Sequence, residues 1–526
     1  MTRMSHSRRD FLKTAAGVAG GATLAPWMLD LDLAQSDALD IARHDLADAA
    51  LATAKRRGAS YADIRIARYR DEQVRVREQQ VQTAVRTQSV GFGVRVLVDG
   101  TWGFAASPVL TIPDVQRITD IAADIARANA RHQRTRVTLA PAPAVTATWK
   151  SAFEKDPFAV PIDTKIEFLL RLNAAAMEEK GVGFVNSSML WLNEQKFLAT
   201  SDGSRIEQYL IRGQPSFTVT AIDGKTGGFQ TRASLAGPQT RGYEYIDQYP
   251  WLAEARQAAQ EVVLKLQAPT VEPGAYDLVI HPSNLWLTIH ESVGHSTELD
   301  RALGWEANFA GTSFLTPEQT GKLTFGSPIV NLVADRTQPR GLATVGYDDE
   351  GVAAQRWYLV KDGRFVDWQT TRDLAPRIGR RQSYGCLFAS SWEHVAFPRM
   401  PNVSLEAAAA DVSLDDLVSG VDRGILIMGN GSFSIDQQRY NFQFGGQTFR
   451  EIRNGRVGAM LRDVAYQSRT TDFWGACDGL GGPKTYELNG AFNDGKGEPQ
   501  QISLVSHGSP VARFRRINVL STAGRS

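Results

Sequence analysis

Apolar and polar positions change period several times along the chain, and each change marks an element. In residues 36–57, Leu39, Ile41, Leu46 and Leu51 recur among alanines, which predicts a helix. Period-two runs then predict strands at 61–67, 73–77 and 91–98. Asp99-Gly100 joins the last of these to 101–105; tight hairpins favour that dipeptide because both turn residues take positive φ. Helical spacing returns at 115–130 through Ile118, Ile121, Ala122 and Ile125, and Ala140-Pro141-Ala142-Pro143 reads as a linker. A second mixed unit follows, with a helix near 164–179, strands around the Asp202-Gly203 turn and a helix at 252–266. Beyond 268–274 the pattern is mainly β, with Asp362-Gly363 between strands at 357–360 and 364–368, and a further turn at Asn454-Gly455. The expected fold class is α+β. An α+β region at 35–145 and a middle α+β region at 146–268 precede a mainly antiparallel domain at 269–526.

Residues 1–34 lie outside that pattern. Ser7-Arg8-Arg9-Asp10-Phe11-Leu12-Lys13 precedes a weakly apolar Gly/Ala-rich run, the order of a twin-arginine export signal. The expected location is periplasmic or otherwise extracytoplasmic. Lys and Arg number 58 against 57 acidic residues, so no basic surplus points to nucleic acid. After the first thirty residues no stretch is apolar for long enough to span a bilayer. Two cysteines, Cys386 and Cys477, are too few for a disulfide framework.

The chemistry concentrates at 285–298, where an apolar helix pattern carries His290-Glu291-Ser-Val-Gly-His295. Histidines at i and i+4 lie about 40° apart around a helix and reach one ion, whereas i and i+5 lie about 140° apart. Gly294, just before the second histidine, allows the helix to end or to open into a π-bulge, which returns His295 to the face of His290. A hydrolytic zinc site needs three protein donors and one open position. Candidates for the third donor are Cys477, Cys386, His281, His394, His507, Glu298 and Asp300. Cys477 lies in a glycine-rich loop that could present its sulfur; a buried structural thiol or a Cys386–Cys477 disulfide are the alternatives. Glu298 and Asp300 read as supporting or solvated carboxylates, and Asp348-Asp349-Glu350 as a solvated acidic turn.

Ordered motifs across some 400 residues make the chain resemble the TldD/PmbA metallopeptidase family, on the TldD-like, metal-bearing side. They are Tyr61-Ala-Asp-Ile-Arg65, the segment Gly91 to Ala105, Glu272-Pro-Gly-Ala-Tyr-Asp277, the 290–295 motif, Asp348-Asp-Glu-Gly351, Arg380-Arg-Gln-Ser-Tyr384, Pro398-Arg-Met-Pro-Asn402 and Gly508-Ser-Pro510. The resemblance implies one Zn2+ per chain on His290, His295 and Cys477, with Glu291 as the base that takes a proton from metal-activated water; another divalent ion suits the same donors. It further implies a peptidase acting on short or unfolded polypeptides, paired as a homodimer or as a heterodimer with a PmbA-like paralogue. The sequence departs from the family after Cys477, where relatives continue with Gly-Lys and a Gln and this chain has Asp478-Gly479-Leu480, and again at His507 and Ser509. A non-catalytic partner subunit and a metal-dependent hydrolase of non-peptide amides stay open as other readings.

Overall fold

A computed structural model describes residues 43–523, so the export signal lies outside the described residues. The chain begins there with helix α1 (43–56). Seven strands build the first sheet: β1 (Tyr61–Arg77), β2 (Gln80–Val98), β3 (Thr101–Ser107), β4 (Thr146–Lys150), β5 (Val182–Thr200), β6 (Arg205–Ile222) and β7 (Phe229–Ala233). Their order is β3-β2-β1-β5-β6-β4, with β7 also on β6. The Asp99-Gly100 turn forms as expected, at φ 54° and 76°. The two strands expected at 61–67 and 73–77 are one. β1 continues through Arg68–Glu72 because β2 and β5 flank it along its whole length. β2 likewise starts eleven residues before the expected strand; its first half is largely exposed, so no apolar alternation announces it.

Helices cover the sheet in two places. α1 and α2 (Ile112–Ala130) bury Leu46, Ala50, Val115, Ile118 and Ala122 against Ile64, Ile66, Val94 and Val96. Helices α3 (Ile162–Met177) and α4 (Trp251–Gln267) bury Leu169, Leu172, Ala255, Ala258 and Val262 against Val74, Val185, Trp191 and Val219. The Pro/Ala linker falls between these clusters, yet the β1–β5 ladder joins the two regions into one sheet.

The C-terminal part is mainly antiparallel. Strands β8 (Gly274–Ile280), β15 (Arg423–Ile435), β16 (Asn441–Arg453), β18 (Val464–Arg469) and β22 (Ala512–Ser521) pair as β15-β8-β22-β18-β16, and β15–β16 pairing closes the ring. β17 (Arg456–Leu461) extends β16 across the expected Asn454-Gly455 turn, and β19 (Cys477–Leu480) adds to β22. A smaller sheet runs β11-β10-β9-β14, from β9 (Leu332–Asp335), β10 (Arg356–Lys361), β11 (Arg364–Phe365) and β14 (Asn402–Leu405). β12 (Leu387–Phe388) pairs with β13 (Phe397–Pro398), and β20 (Glu487–Lys496) forms a hairpin with β21 (Gln501–Ser509). Among the described residues, no helix is long and apolar enough to cross a membrane.

Asp348, Asp349 and Glu350 are not a solvated turn: all three are buried, and Asp349 and Glu350 dock this part onto the first sheet. Asp349 faces Lys196 at 2.5 Å and Arg65 at 3.4 Å, and Glu350 faces Arg95 at 3.5 Å. Burial alone would raise Asp349, but Lys196 and Arg65 override it and hold its carboxyl below the usual range. Glu350 goes the other way. Arg95 is already neutralised by Asp63 at 2.7 Å, so burial, reinforced by Asp348, pushes Glu350 up to about 8. Burial pushes Asp348 up to about 6.

Both of these groups hold their protons in the folded chain at pH values where the unfolded chain has released them. The stability they contribute is complete below about pH 4 and is lost as pH rises toward 8. Glu350→Gln keeps an acceptor for the Arg372 N–H, which lies 2.9 Å from Glu350 Oε2, and cannot ionise. Denaturant unfolding of this variant is expected to lose about 1–3 kcal/mol less than wild type between pH 5 and pH 8. An identical pH slope in the two proteins would show that Glu350 is ionised throughout.

Candidate metal centre

Strand β8 leads through His281 into helix α5 (Pro282–Ile289). His281 caps it by accepting from the Ser283 N–H, and Pro282 fills the first turn, where a missing N–H costs nothing. Every residue of α5 is buried, so the next turn is delivered into the interior. At His290–Gly294 the helix widens into one π turn, in which the His295 N–H donates to the His290 carbonyl. That extra residue corrects the angular mismatch of the i, i+5 spacing and brings the two imidazole centroids to 4.6 Å. Gly294 is required for close approach: a Cβ there would sit 2.4 Å from Met400 Sδ.

The third group that faces these histidines is Asp494, near the end of β20. One donor atom from each of His290, His295 and Asp494 lies within 4.8 Å of the others, and all three residues are buried. Asp494 Oδ1 is 3.6 Å from His290 Nε2 and 3.5 Å from His295 Nε2. Two donors bound tetrahedrally at about 2.1 Å would be separated by about 3.4 Å, so the spacing fits a single small ion. Asp494 Oδ2 is turned away and accepts from Arg399 Nη2 at 2.8 Å and from Ser503 Oγ at 3.3 Å. Burial would raise this carboxyl, but the Arg399 guanidinium leads the neighbours that bring it down to about 2.

The remaining ring nitrogens are also committed. His295 Nδ1 lies 2.9 Å from Glu298 Oε2, which assigns its proton to Nδ1 and leaves Nε2 bare. Lys496 donates to Glu298 Oε1 at 2.9 Å and also contacts Asp300, while Arg301 Nε donates to Glu298 Oε2 at 3.2 Å. Burial opposes ionisation of Glu298, yet Lys496, His295 and Arg301 hold it well below the usual range. Burial, then Arg301, pushes His295 down to about 4, a neutral imidazole. On the other histidine of the motif, His290 Nδ1 lies 2.8 Å from His507 Nε2, and His507 Nδ1 lies 2.8 Å from the Val403 carbonyl. Burial, then His290, holds His507 well below its ordinary value.

Glu291 follows His290 directly in the π turn and is buried, and its Oε2 makes no hydrogen bond. Among the described residues its ion-pair partner is Arg439, whose Nη1 lies 3.3 Å from that same Oε2. A buried carboxylate oxygen one residue from His290, contacted by a cation but without a hydrogen bond, keeps lone pairs that can accept a proton.

Cys477 is not brought to the histidines. It opens β19 opposite Phe514, its carbonyl accepts from Ser327 Oγ at 2.6 Å, and its charged neighbours are Asp478 and Arg513. Burial pushes its thiol up to about 12. The segment still touches the histidine motif, because the Trp474 Nε1–H donates to Ser292 Oγ at 3.0 Å. Cys386 and Cys477 are both free thiols, so the disulfide alternative is not formed. His281 lies at the far end of α5, near Glu487, and His394 bonds Ser390 and Ser391. Glu298 and Asp300 support the site as buried ion-pair partners and are not solvated.

Asp494, Lys496, Arg399 and Arg439 were missed from sequence, and His507 was expected only as one alternative donor. A signal for Asp494 existed: the Gly-Lys that relatives place after the third ligand follows it as Gly495-Lys496, with Gln500 and Gln501 beyond.

Residues 62–128, 155–266 and 273–521 match, in order, the family models for PmbA/TldA metallopeptidase domain 1, central domain and C-terminal domain. Residues 5–25 match the twin-arginine translocation pathway signal sequence. A metalloprotease of Methanothermobacter thermautotrophicus is 25% identical over 462 residues, 88% of this chain and 96% of its own. The zinc metalloprotease TldD homolog of Saccharolobus solfataricus is 21% identical over 472 residues, 88% of this chain and 97% of its own. The crystal structure of TldE from Thermococcus kodakarensis has TM-score 0.68 at 16% identity, covering 89% of this chain and 98% of its own. A Thermotoga maritima crystal structure, named for modulation of a DNA gyrase, has TM-score 0.72 at 15% identity, covering 91% and 100%. At these identities the structures speak for the fold alone. Three successive family domains, in their proper order, span nearly all of the described chain, and it belongs to the PmbA/TldD metallopeptidase family.

Proposed function

We propose that this chain is an exported, metal-dependent peptidase that holds one divalent ion on His290, His295 and Asp494 and uses Glu291 as its base. The observation that carries the reading is the buried convergence of those three donors, with Glu291 adjacent in the chain to His290. Two imidazole nitrogens and one carboxylate oxygen suit zinc, as the name of the Saccharolobus relative suggests. Without a thiolate the set is also hospitable to harder ions such as manganese, iron or cobalt. When bound, such an ion would supply Lewis acidity and a more acidic water.

The chain's own groups account for the rest. Glu291 Oε2 takes a proton from water and returns it to the leaving amine. Arg439 orients that carboxylate from one side. Arg399 keeps Asp494 turned so that Oδ1 faces the imidazoles, and Glu298 fixes the tautomer of His295. Short or unfolded polypeptides are the substrates that suit a buried centre of this kind, and an extended peptide can add to a sheet edge in the β-rich part. Pairing with a second copy or with a PmbA-like paralogue, and action in the periplasm or another extracytoplasmic space, complete the proposal.

Metal analysis of the purified protein is expected to find about one ion per chain in wild type and in Cys477→Ala, and almost none in Asp494→Ala. Retention in Asp494→Ala together with loss in Cys477→Ala would return the third ligand to the cysteine. Glu291→Gln is expected to keep its metal while peptide hydrolysis falls by about 10²–10⁴-fold. Cleavage at the wild-type rate by that variant, or a wild type that binds no metal, would remove the peptidase reading in favour of a partner subunit.

A further inference from the structure

We infer that His507 is a positioning residue for the ligand His290: a neutral imidazole that accepts the Nδ1 proton of His290 and so leaves Nε2 as the atom that faces the metal. The inference rests on the metal site proposed above and concerns a residue outside the ligand set.

The chain of contacts has only one consistent proton order. The Val403 carbonyl can only accept, so His507 Nδ1, 2.8 Å away, must carry a proton and donate to it. A second proton on Nε2 would make a buried cation. Among the described residues no carboxylate oxygen lies within 4.0 Å of the His507 ring nitrogens, whereas His290 and His295 each have such a neighbour. His507 Nε2 is therefore bare, and the His290 Nδ1–H donates to it at 2.8 Å. The remaining nitrogen of His290, Nε2, is the one turned toward Asp494 Oδ1.

The support is rigid. His507 is fully buried on β21 opposite Asn489, and the Trp286 ring stacks over it with centroids 6.2 Å apart and planes 13° from parallel. Val403 lies on β14, so three separate segments set the orientation of one ligand ring. The two metal histidines are also held differently. A carboxylate accepts from His295 and a neutral ring accepts from His290, so His290 is the less electron-rich donor and depends more on geometry. An apolar residue at 507 would leave the His290 N–H unpaired in a dry interior, and the ring would be free to turn.

The test uses the full mature protein stripped of metal, titrated with zinc against a competing chelator, as wild type, His507→Leu and His507→Gln. Leucine should weaken zinc binding by about 10–100-fold, the usual effect of removing the partner of a ligating histidine. Glutamine, whose amide oxygen can accept the same proton, should recover most of that loss. Equal affinity in wild type and His507→Leu would overturn the inference while leaving the metal site standing. If His507→Leu does not fold, wild type labelled with 15N-histidine decides the matter. Two-bond 1H–15N correlations should show His290 protonated at Nδ1 with zinc bound, and protonation at Nε2 would overturn the inference. A wild type that binds no zinc would instead count against the metal site itself; the same spectrum of the metal-free chain would still report whether His507 accepts from His290 Nδ1.

Discussion

An ionised carboxylate in a dry interior must have its charge met, and Asp494 meets that constraint next to the two histidines. Taking one carboxylate out of water costs several kcal/mol unless cations and hydrogen bonds replace the lost hydration. Arg399 supplies the cation on one side of Asp494 and the two imidazoles face the other. Arg399 in turn precedes Met400, the residue whose sulfur lies against Gly294 in the π turn. The charge that neutralises the third donor and the contact that requires a glycine in the histidine motif thus come from adjacent positions of one segment. Two residues beyond Asp494, Lys496 reaches Glu298 and Asp300, which follow the histidine motif directly. The hairpin and the helix are therefore tied by both the donor group and the ion pairs that support it.

The same requirement holds the two parts of the chain together. Asp349 would be costly to bury alone, and Lys196 and Arg65 of the first sheet remove that cost. Glu350 is not fully compensated, because its arginine already serves Asp63, and its carboxyl responds by keeping its proton. Breaking one partner of such a network leaves a buried charge alone, so these contacts specify how the parts dock more than they add to stability.

Local signals were legible in the sequence wherever a short segment contains its own explanation. Asp99-Gly100, Asp362-Gly363 and Asn454-Gly455 all form turns with both residues at positive φ, as their side-chain chemistry requires. The helices at 112–130, 162–177 and 251–267 follow their apolar spacing to within about three residues at each end, the usual fraying of such boundaries. The π turn was legible as well, since the i, i+5 spacing has one economical solution and a glycine stood ready for it. What stayed hidden depends on distant partners. The burial of Asp349 depends on Arg65 and Lys196, each more than 150 residues earlier in the chain, and no local pattern distinguishes it from a solvated acid. Asp494 is separated from His295 by about 200 residues and sits in a strand whose turn shows no strong hairpin dipeptide. The family resemblance implied Cys477, whereas the Gly-Lys expected after the third donor stands after Asp494.

A carboxylate in that position has a consequence for an exported protein. Thiolates are the groups most readily oxidised outside the cytoplasm, and a thiolate ligand can be lost stepwise to sulfenic and sulfinic acids. Asp494 offers an anionic donor with no such chemistry. The two cysteines that remain, Cys386 and Cys477, are buried, and burial pushes their thiols up to about 11 and about 12, so neither presents a thiolate at neutral pH. The proposed centre of two imidazoles and a carboxylate, with the cysteines sheltered in the core, is one whose metal affinity need not change with the redox state of its surroundings. The cost falls on the metal: a harder donor set discriminates less sharply in favour of zinc. Twin-arginine export offsets that weakness, because this route carries chains already folded and the ion can be chosen before the protein leaves the cytoplasm.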